Sequence, residues 1–317
     1  MKMTVSREDI RAYAPLIVLM ALVLAVGLYD STFFSSKNLL TITADTMTLF
    51  LMASGVTFVI MIGGIDLSIQ SVASMASCIL AVGLPRFGLA AVPLAVLGGA
   101  TAGLLGGIVS TRLRIPSFIA TLAVSGIVAS AAYWFSSARS INISEEDSVK
   151  YLGWAVGEIA GVPNEVWVGM FFLALLSALL GLTPFGRLVR AIGSQERAVM
   201  ASGIDVDRTK IAAYALSGTM AGVAGILMAA RLGSGSPTLA GEFLLPAIAC
   251  IVVGGTAITG GVGSVWRTFV GALIVQVVRI GMTFVGVSAF AQQIVFGFIL
   301  VAAVAITMDR SKIAVIK

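Results

Sequence analysis

Asp66, Arg279 and the charged run between Thr183 and Lys210 hold the side chains of this sequence best suited to chemistry. Asp66 stands in Gly63-Gly64-Ile65-Asp66-Leu67-Ser68, between two apolar runs. A carboxylate there can cap the helix that follows, where the helix dipole favours negative charge, or it can act on a permeation path or in gating. Arg279 falls inside the apolar run 265–287. A cation within a membrane span is a functional candidate, and it can equally face a subunit interface or snorkel outward. Gln292 and Gln293 at the head of the last run line an entrance or mark the headgroup level. The charged run carries Arg187, Arg190, Arg197, Arg208 and Lys210 against Glu196, Asp205 and Asp207. Within it Ser194 is placed to cap a short helix over 195–202, and Gly203 to close that helix in a left-handed turn. A helix of about eight residues is marginal alone in water. Val199, Met200 and Ile204 give it an apolar edge that nothing in the run covers, so a cytoplasmic partner protein is expected to pack there.

Other chemistries are poorly served. The chain has no histidine, which removes the usual general base and most transition-metal sites. Residues 181–188 show Gly-x4-Gly, but Arg187-Leu188 replaces the Lys-Ser/Thr of a phosphate-binding loop. Gly261-Val262-Gly263 lacks the third glycine and the flanking strand of a dinucleotide site. Cys78 and Cys250 lie in apolar runs and read as small buried hydrophobes. No paired acids and no nucleophile with its base appear, so no enzyme is expected, and no metal or cofactor held by this chain.

The elements that must position these residues belong in lipid. Apolar residues make up 58% and charged residues 11% of 317, and the mean hydropathy is +1.05. Those are not the numbers of a water-soluble domain. At about 20 residues per crossing, the apolar runs predict an all-α polytopic protein of about ten membrane helices: 14–28, 46–63, 69–84, 88–110, 117–136, 165–182, 211–230, 243–259, 265–287 and 290–308. The first run is expected to stay in place rather than be cleaved as a signal peptide, because the remaining topology depends on it. The whole chain, 1–317, then forms one transmembrane domain with two long polar loops, 138–164 and 184–210. Ten crossings put 14 Lys/Arg on the side of the termini and five on the other, with Arg279 left within a helix. The positive-inside rule therefore sets both termini and the 184–210 loop in the cytoplasm, and the 138–164 loop outside. The same asymmetry accounts for the net charge of +5 without nucleic acid. Glycines at Gly99, Gly103 and Gly107, and at Gly218 and Gly222, have the four-residue spacing that lets membrane helices approach closely. Gly63–Ser68 is echoed by Gly254-Gly255-Thr256-Ala257-Ile258-Thr259, the trace of a duplicated half of the kind transporters contain.

The residues also carry a family likeness. GVTFVIMIGGIDLS (55–68), PSFIATL (116–122), AIGSQERAVMASGIDVDRTK (191–210), YALSGTMAGVAGILMAARLG (214–233), GGTAITGGVGSV (254–265) and GVSAFAQQ (286–293) are present. Over nearly its whole length the chain resembles the membrane-spanning permease subunits of bacterial ABC importers for ribose and other monosaccharides. It departs from the family pattern at Gln70, Ala123, Ala129-Ser130 and Arg267. The resemblance implies a bacterial inner-membrane protein whose 184–210 loop docks in a groove of a separate ATPase subunit, which binds the ATP. It places Glu196, Arg197, Ala198, Met200, Gly203, Ile204 and Asp205 at that coupling contact. It further implies a second permease subunit, identical or closely related, and a periplasmic substrate-binding protein docking on 138–164 and 233–242. Gly63, Gly64, Asp66, Ser68, Phe118, Thr121 and Arg279 are the pathway or gating candidates. The scarcity of charge in the spans favours a neutral solute, a sugar or similar polyol. The alternatives are a related permease for branched-chain amino acids or nucleosides and an ion-coupled carrier, which would need titratable groups in mid-membrane.

Overall fold

The computed structural model describes residues 7–307, and helix dominates them. In chain order the helices are α1 (Arg7–Tyr29), α2 (Ser36–Met61), α3 (Ile69–Phe87), α4 (Ala91–Arg112), α5 (Ser117–Ser136), α6 (Glu145–Val156), α7 (Asn164–Leu182), α8 (Pro184–Ala201), α9 (Val206–Leu232), α10 (Leu244–Val253), α11 (Val265–Phe284) and α12 (Ala289–Thr307). Four two-residue strands, β1 (Ile141–Asn142), β2 (Glu158–Ile159), β3 (Val162–Pro163) and β4 (Ser234–Gly235), form two small antiparallel pairs, β1 with β4 and β2 with β3. The first six residues and the basic tail (Arg310, Lys312, Lys317) lie outside the described residues.

Each of the ten expected segments holds a helix, but the helices are unequal. Among the described residues six stretches are long and apolar enough to cross a membrane: Ser36–Met61, Ile69–Arg112, Ser117–Ser136, Asn164–Leu182, Val206–Leu232 and Val265–Phe284. Ile69–Arg112 contains both α3 and α4, which fold back on each other. A Cβ built on Gly83 would come within 2.9 Å of Ala91, and one on Gly98 within 2.7 Å of Ile79. Shorter apolar helices span Pro15–Tyr29, Leu244–Val253 and Ala291–Ala302. The expected crossing at 243–259 is helical over only part of its length. Its helix, α10, has only ten residues, a length of about 15 Å, half of a hydrocarbon core of about 30 Å. The chain leaves the helix at Gly254 and turns through Gly255 at φ +88°. The 138–164 segment is not an irregular loop either. It contains α6, capped by the Ser144 hydroxyl on the Asp147 N–H, with Glu145, Glu146 and Asp147 in the first turn where the dipole favours them.

α2 is the axis of the bundle, with every residue from 46 to 62 buried. It packs on α11 through the edge-to-face pair Phe50–Phe269 and through the Thr57 and Thr268 hydroxyls, 2.8 Å apart. Two buried hydroxyls satisfying each other avoid the penalty either would carry alone. α9 runs beside α2 and is held against α4 by the two glycine ladders. A Cβ on Gly99 would strike the Gly218 carbonyl, and one on Gly103 the Tyr214 carbonyl. The helices meet backbone to backbone, as small residues at this spacing allow.

The connections segregate to the two ends. At one end the 63–68 loop, the start of α5, α8 and the 260–263 turn touch one another. At the other end β1 pairs with β4, Tyr151 of α6 covers Gly88, and Gln293 of α12 donates to the Glu242 carbonyl.

Candidate functional site

The GGIDLS loop is tied down on every side. Asp66 is 1% exposed. Its Oδ1 accepts the Ser68 N–H (2.9 Å) and hydroxyl (2.6 Å), and its Oδ2 accepts the Ser217 hydroxyl of α9 (2.7 Å). The Ile65 N–H donates to Ser117 Oγ (3.0 Å), and the Leu67 N–H to Thr121 Oγ1 (3.1 Å), both on the first turns of α5. Gly64 lies against the Tyr214 hydroxyl, where a side chain would clash. Gly63, Gly64, Asp66, Ser68 and Thr121 are therefore brought together. Asp66 accepts from Ser68, the residue before α3, and not from an N–H of the first turn of that helix. Phe118 sits on the same turn of α5 but points outward, about half exposed.

The charged run folds differently from its expected form. α8 starts at Pro184, where the Thr183 hydroxyl accepts the Gly186 N–H, and consists of two helical pieces that meet at a kink, so the short helix expected over 195–202 is present but is preceded by another. Ser194 is not a cap. Its hydroxyl donates to the Arg190 carbonyl one turn back at 2.9 Å, because the helix already runs through it. The break comes one residue later, at Gln195 (φ −153°, ψ 76°). Its place follows from Gly193, whose backbone presses on the Met61 carbonyl and on Gly261, while Gly261 donates its N–H to Met61 at 2.8 Å. Neither position has room for a Cβ, so the kink is seated on the end of α2. Beyond it the chain ends its helical turns near Ser202 and passes through Gly203 at φ +79°, the left-handed closure the sequence called for.

This short arm presents Arg197, Ala198, Met200, Gly203, Ile204 and Asp205 to the surface, with Met200 57% exposed. Val199 is the exception to the expected apolar edge, since it is buried in the chain's own core. Glu196 Oε1 pairs with Lys210 Nζ at 2.6 Å, joining the arm to the first turns of α9. Asp205 caps α9 by accepting the Arg208 N–H and forms an ion pair with the Arg208 side chain at 2.8 Å. Gln195, Glu196, Arg197 and Met200 line an open hollow of about 580 Å³. An apolar methionine flanked by free cationic and paired acidic groups is suited to contact with a protein surface.

Arg279 is not part of this constellation. Its guanidinium lies over the Phe243 ring, 5.2 Å from the centroid, at the opposite end of the bundle. The sequence did not single out Tyr214, Ser217 and Gly193, all of which act on residues far away in the chain. Nor did it single out a polar cluster of Arg231, Asp45, Glu165 and Gln276 at the end opposite α8. The one available signal was that Asp45, Glu165 and Arg231 each fall at the edge of an apolar run.

The family model described as branched-chain amino acid transport system / permease component matches residues 38–304. The ribose import permease protein RbsC of Escherichia coli (strain K12) is 36% identical over 91% of this chain and 91% of its own length. The protein of the same name from Bacillus subtilis (strain 168) is 33% identical over 95% and 93%. The L-arabinose transport system permease protein AraH of Escherichia coli (strain K12) is 33% identical over 95% and 90%.

Proposed function

The chain belongs to this family of membrane-embedded transport permeases, and from that premise we propose that it forms the translocation path of an ATP-driven importer for a monosaccharide or similar polyol. It is a multi-pass membrane protein; we place it in the bacterial inner membrane, crossing ten times with α10 and the 254–259 turn making the eighth pass. Both termini and α8 then face the cytoplasm. The observation that carries the reading is the kinked arm of α8, an exposed methionine tip seated through Gly193 on the end of the buried axis helix α2. A partner pressing on that tip bears directly on the centre of the bundle.

In this reading a separate ATPase subunit binds and hydrolyses ATP and grips 196–205. This chain supplies no chemistry and binds no cofactor. Closure of the ATPase shifts α8 and, through Met61 and Gly261, displaces α2 as a rigid body, the hinge-and-shear repertoire of packed helices. A second permease subunit, identical or closely related, completes the path, with Phe118 facing it. Asp66, Ser68 and Thr121 fix the loop behind Phe118 rather than meeting solute. A substrate-binding protein docks on the opposite end, over α6 and the β1–β4 pair. Sugar is favoured over amino acid by the names of the relatives and by the scarcity of free charge on the spans. Arg279, engaged with Phe243, is a poor partner for a solute carboxylate.

The test is reconstitution in vesicles with the cognate ATPase and binding protein, using labelled pentoses, hexoses and a branched-chain amino acid. ATP-dependent uptake of one sugar is expected, with no uptake by this chain alone. Uphill uptake by the chain alone, or uptake driven by a proton or sodium gradient without ATP, would overturn the reading.

A further inference from the structure

One guanidinium joins three helices towards the face opposite α8, at the start of α7, the end of α9 and the third turn of α2, and a fourth is tied in through an amide. Arg231, the next-to-last residue of α9, pairs with Asp45 of α2 and lies 3.5 Å from Oε2 of Glu165, in the first turn of α7. The other oxygen of Asp45 accepts the Gln276 side-chain N–H of α11 at 3.0 Å. Glu165 is 4% exposed, Gln276 is 1% exposed, and Gln276 Oε1 has no hydrogen-bond partner. Two carboxylates thus share one cation, with Glu165 enclosed and Arg231 and Asp45 partly exposed.

Stability alone gives little reason for such an arrangement. Ion pairs this exposed contribute little net stability, and the best-attested use of a partly enclosed charge network is to select between alternative arrangements. A second arrangement is available here. A cavity of about 270 Å³ beside the cluster is lined by Arg231 and Glu165 together with Lys37, Thr41, Glu158 and Pro163. Glu158, exposed on β2, lines the same hollow as the guanidinium and is a second carboxylate there. Both ends of the cluster are also chained to the loop layer. Glu165 follows β3 by two residues, with the Asn164 N–H anchored on the Gly157 carbonyl at 2.8 Å. Arg231 precedes β4, which pairs with β1.

We propose that Arg231 is the positioning residue of an outer latch: its pairing with Asp45 and Glu165 holds the outer parts of α2, α7 and α9 together, and docking of the substrate-binding protein on the α6 and strand layer transfers it to Glu158. The latch rests on the importer reading above, since it requires a docking partner at this face. It is the outer counterpart of the α8 arm. One responds to the energy source and the other to substrate arrival, and both act on α2.

The experiment uses the complete complex in vesicles, with ATPase activity read with and without binding protein and import read alongside. Arg231→Gln is expected to raise ATPase activity without binding protein about tenfold, within the ~5–150-fold span of coupling effects between sites, and to lower sugar imported per ATP. Arg231→Lys should fall between Gln and wild type. Asp45→Asn with Glu165→Gln, which keeps the packing and removes both carboxylates the guanidinium pairs with, should raise that activity as Arg231→Gln does. Wild-type behaviour of Arg231→Gln, or of the Asp45→Asn, Glu165→Gln variant, overturns the latch. Should Arg231→Gln not assemble, exposed Glu158→Gln decides. It should reduce stimulation by binding protein about tenfold, and unchanged stimulation overturns the proposal. If the wild-type complex itself does not import, the importer reading fails rather than the latch.

Discussion

Glu196 and Asp66 show how differently two acids of one sequence can be used. Glu196 is engaged within its own chain, with Lys210 at 2.6 Å, and both side chains are partly exposed. A pair of that exposure contributes only about 0.2–1 kcal/mol to stability, so its use lies in setting the direction of the arm relative to α9. Glu196→Lys should therefore leave the melting temperature nearly unchanged and cut ATP-driven uptake about tenfold or more, with the exchange Glu196→Lys, Lys210→Glu recovering much of it. Lack of recovery in a normally inserted double variant would assign Glu196 to direct contact with the ATPase instead. Asp66 is the reverse case, enclosed and accepting three hydrogen bonds. Asp66→Ala strands the Ser217 hydroxyl and the Ser68 donors, at about 1–3 kcal/mol for each buried group left unpaired, and should abolish detergent-stable protein. Asp66→Asn keeps one carbonyl acceptor, and Ser217 can turn to accept from the amide, so that variant should still fold. Equal melting temperatures for the Ala and Asn variants would refute this structural role and return Asp66 to the permeation path.

At the scale of elements, backbone proximity dominates. Gly103 and Gly218 lie where α4 and α9 touch, and any Cβ would drive into a carbonyl of the other helix. Gly103→Leu should cost about 1–3 kcal/mol as an overpacking change and lower the yield of folded protein, whereas Leu at Gly126, where nothing lies within 4 Å, should be tolerated. Equal yields would mean that the ladders are not the contact between these helices. These ladders were legible in the sequence because four-residue spacing reports a helix face directly. The same holds for the helical segments themselves and for the turn at Gly203. Three things were not legible. The half-length of α10 is hidden because 243–259 is uniformly apolar, and hydropathy does not register the left-handed turn at Gly255. The continuity of α8 through Ser194 is hidden because a serine before a helical stretch has the same sequence appearance whether its hydroxyl caps forward or bonds back. The Arg231–Asp45 pair joins residues 186 apart in sequence, a distance across which no local pattern carries information.

For the molecule as a whole, the two ends are built from different materials. One end gathers glycine turns and the kinked arm around the end of α2, giving backbone contacts with no side chain to yield between them. The other end gathers α6, the strand pairs and the Arg231 cluster, with charged groups that exchange partners in the proposed latch. A rigid end suits force from an engine, and an exchangeable end suits recognition of a partner that comes and goes. That division depends on which end faces which compartment. Cys78 and Cys250 are both buried, so added cysteines can be read against a quiet background. Met200→Cys on the arm and Val149→Cys on α6, positions 57% and 75% exposed, should react oppositely with a membrane-impermeant maleimide. In intact spheroplasts the α6 cysteine should label and the arm cysteine should not; in inside-out vesicles the order should reverse. Labelling of Met200→Cys in intact spheroplasts would put the arm outside and remove the ATPase from its proposed seat. Labelling of both from one face would mean an odd number of crossings between residues 149 and 200 is wrong, which leaves α7 lying within one interface instead of spanning.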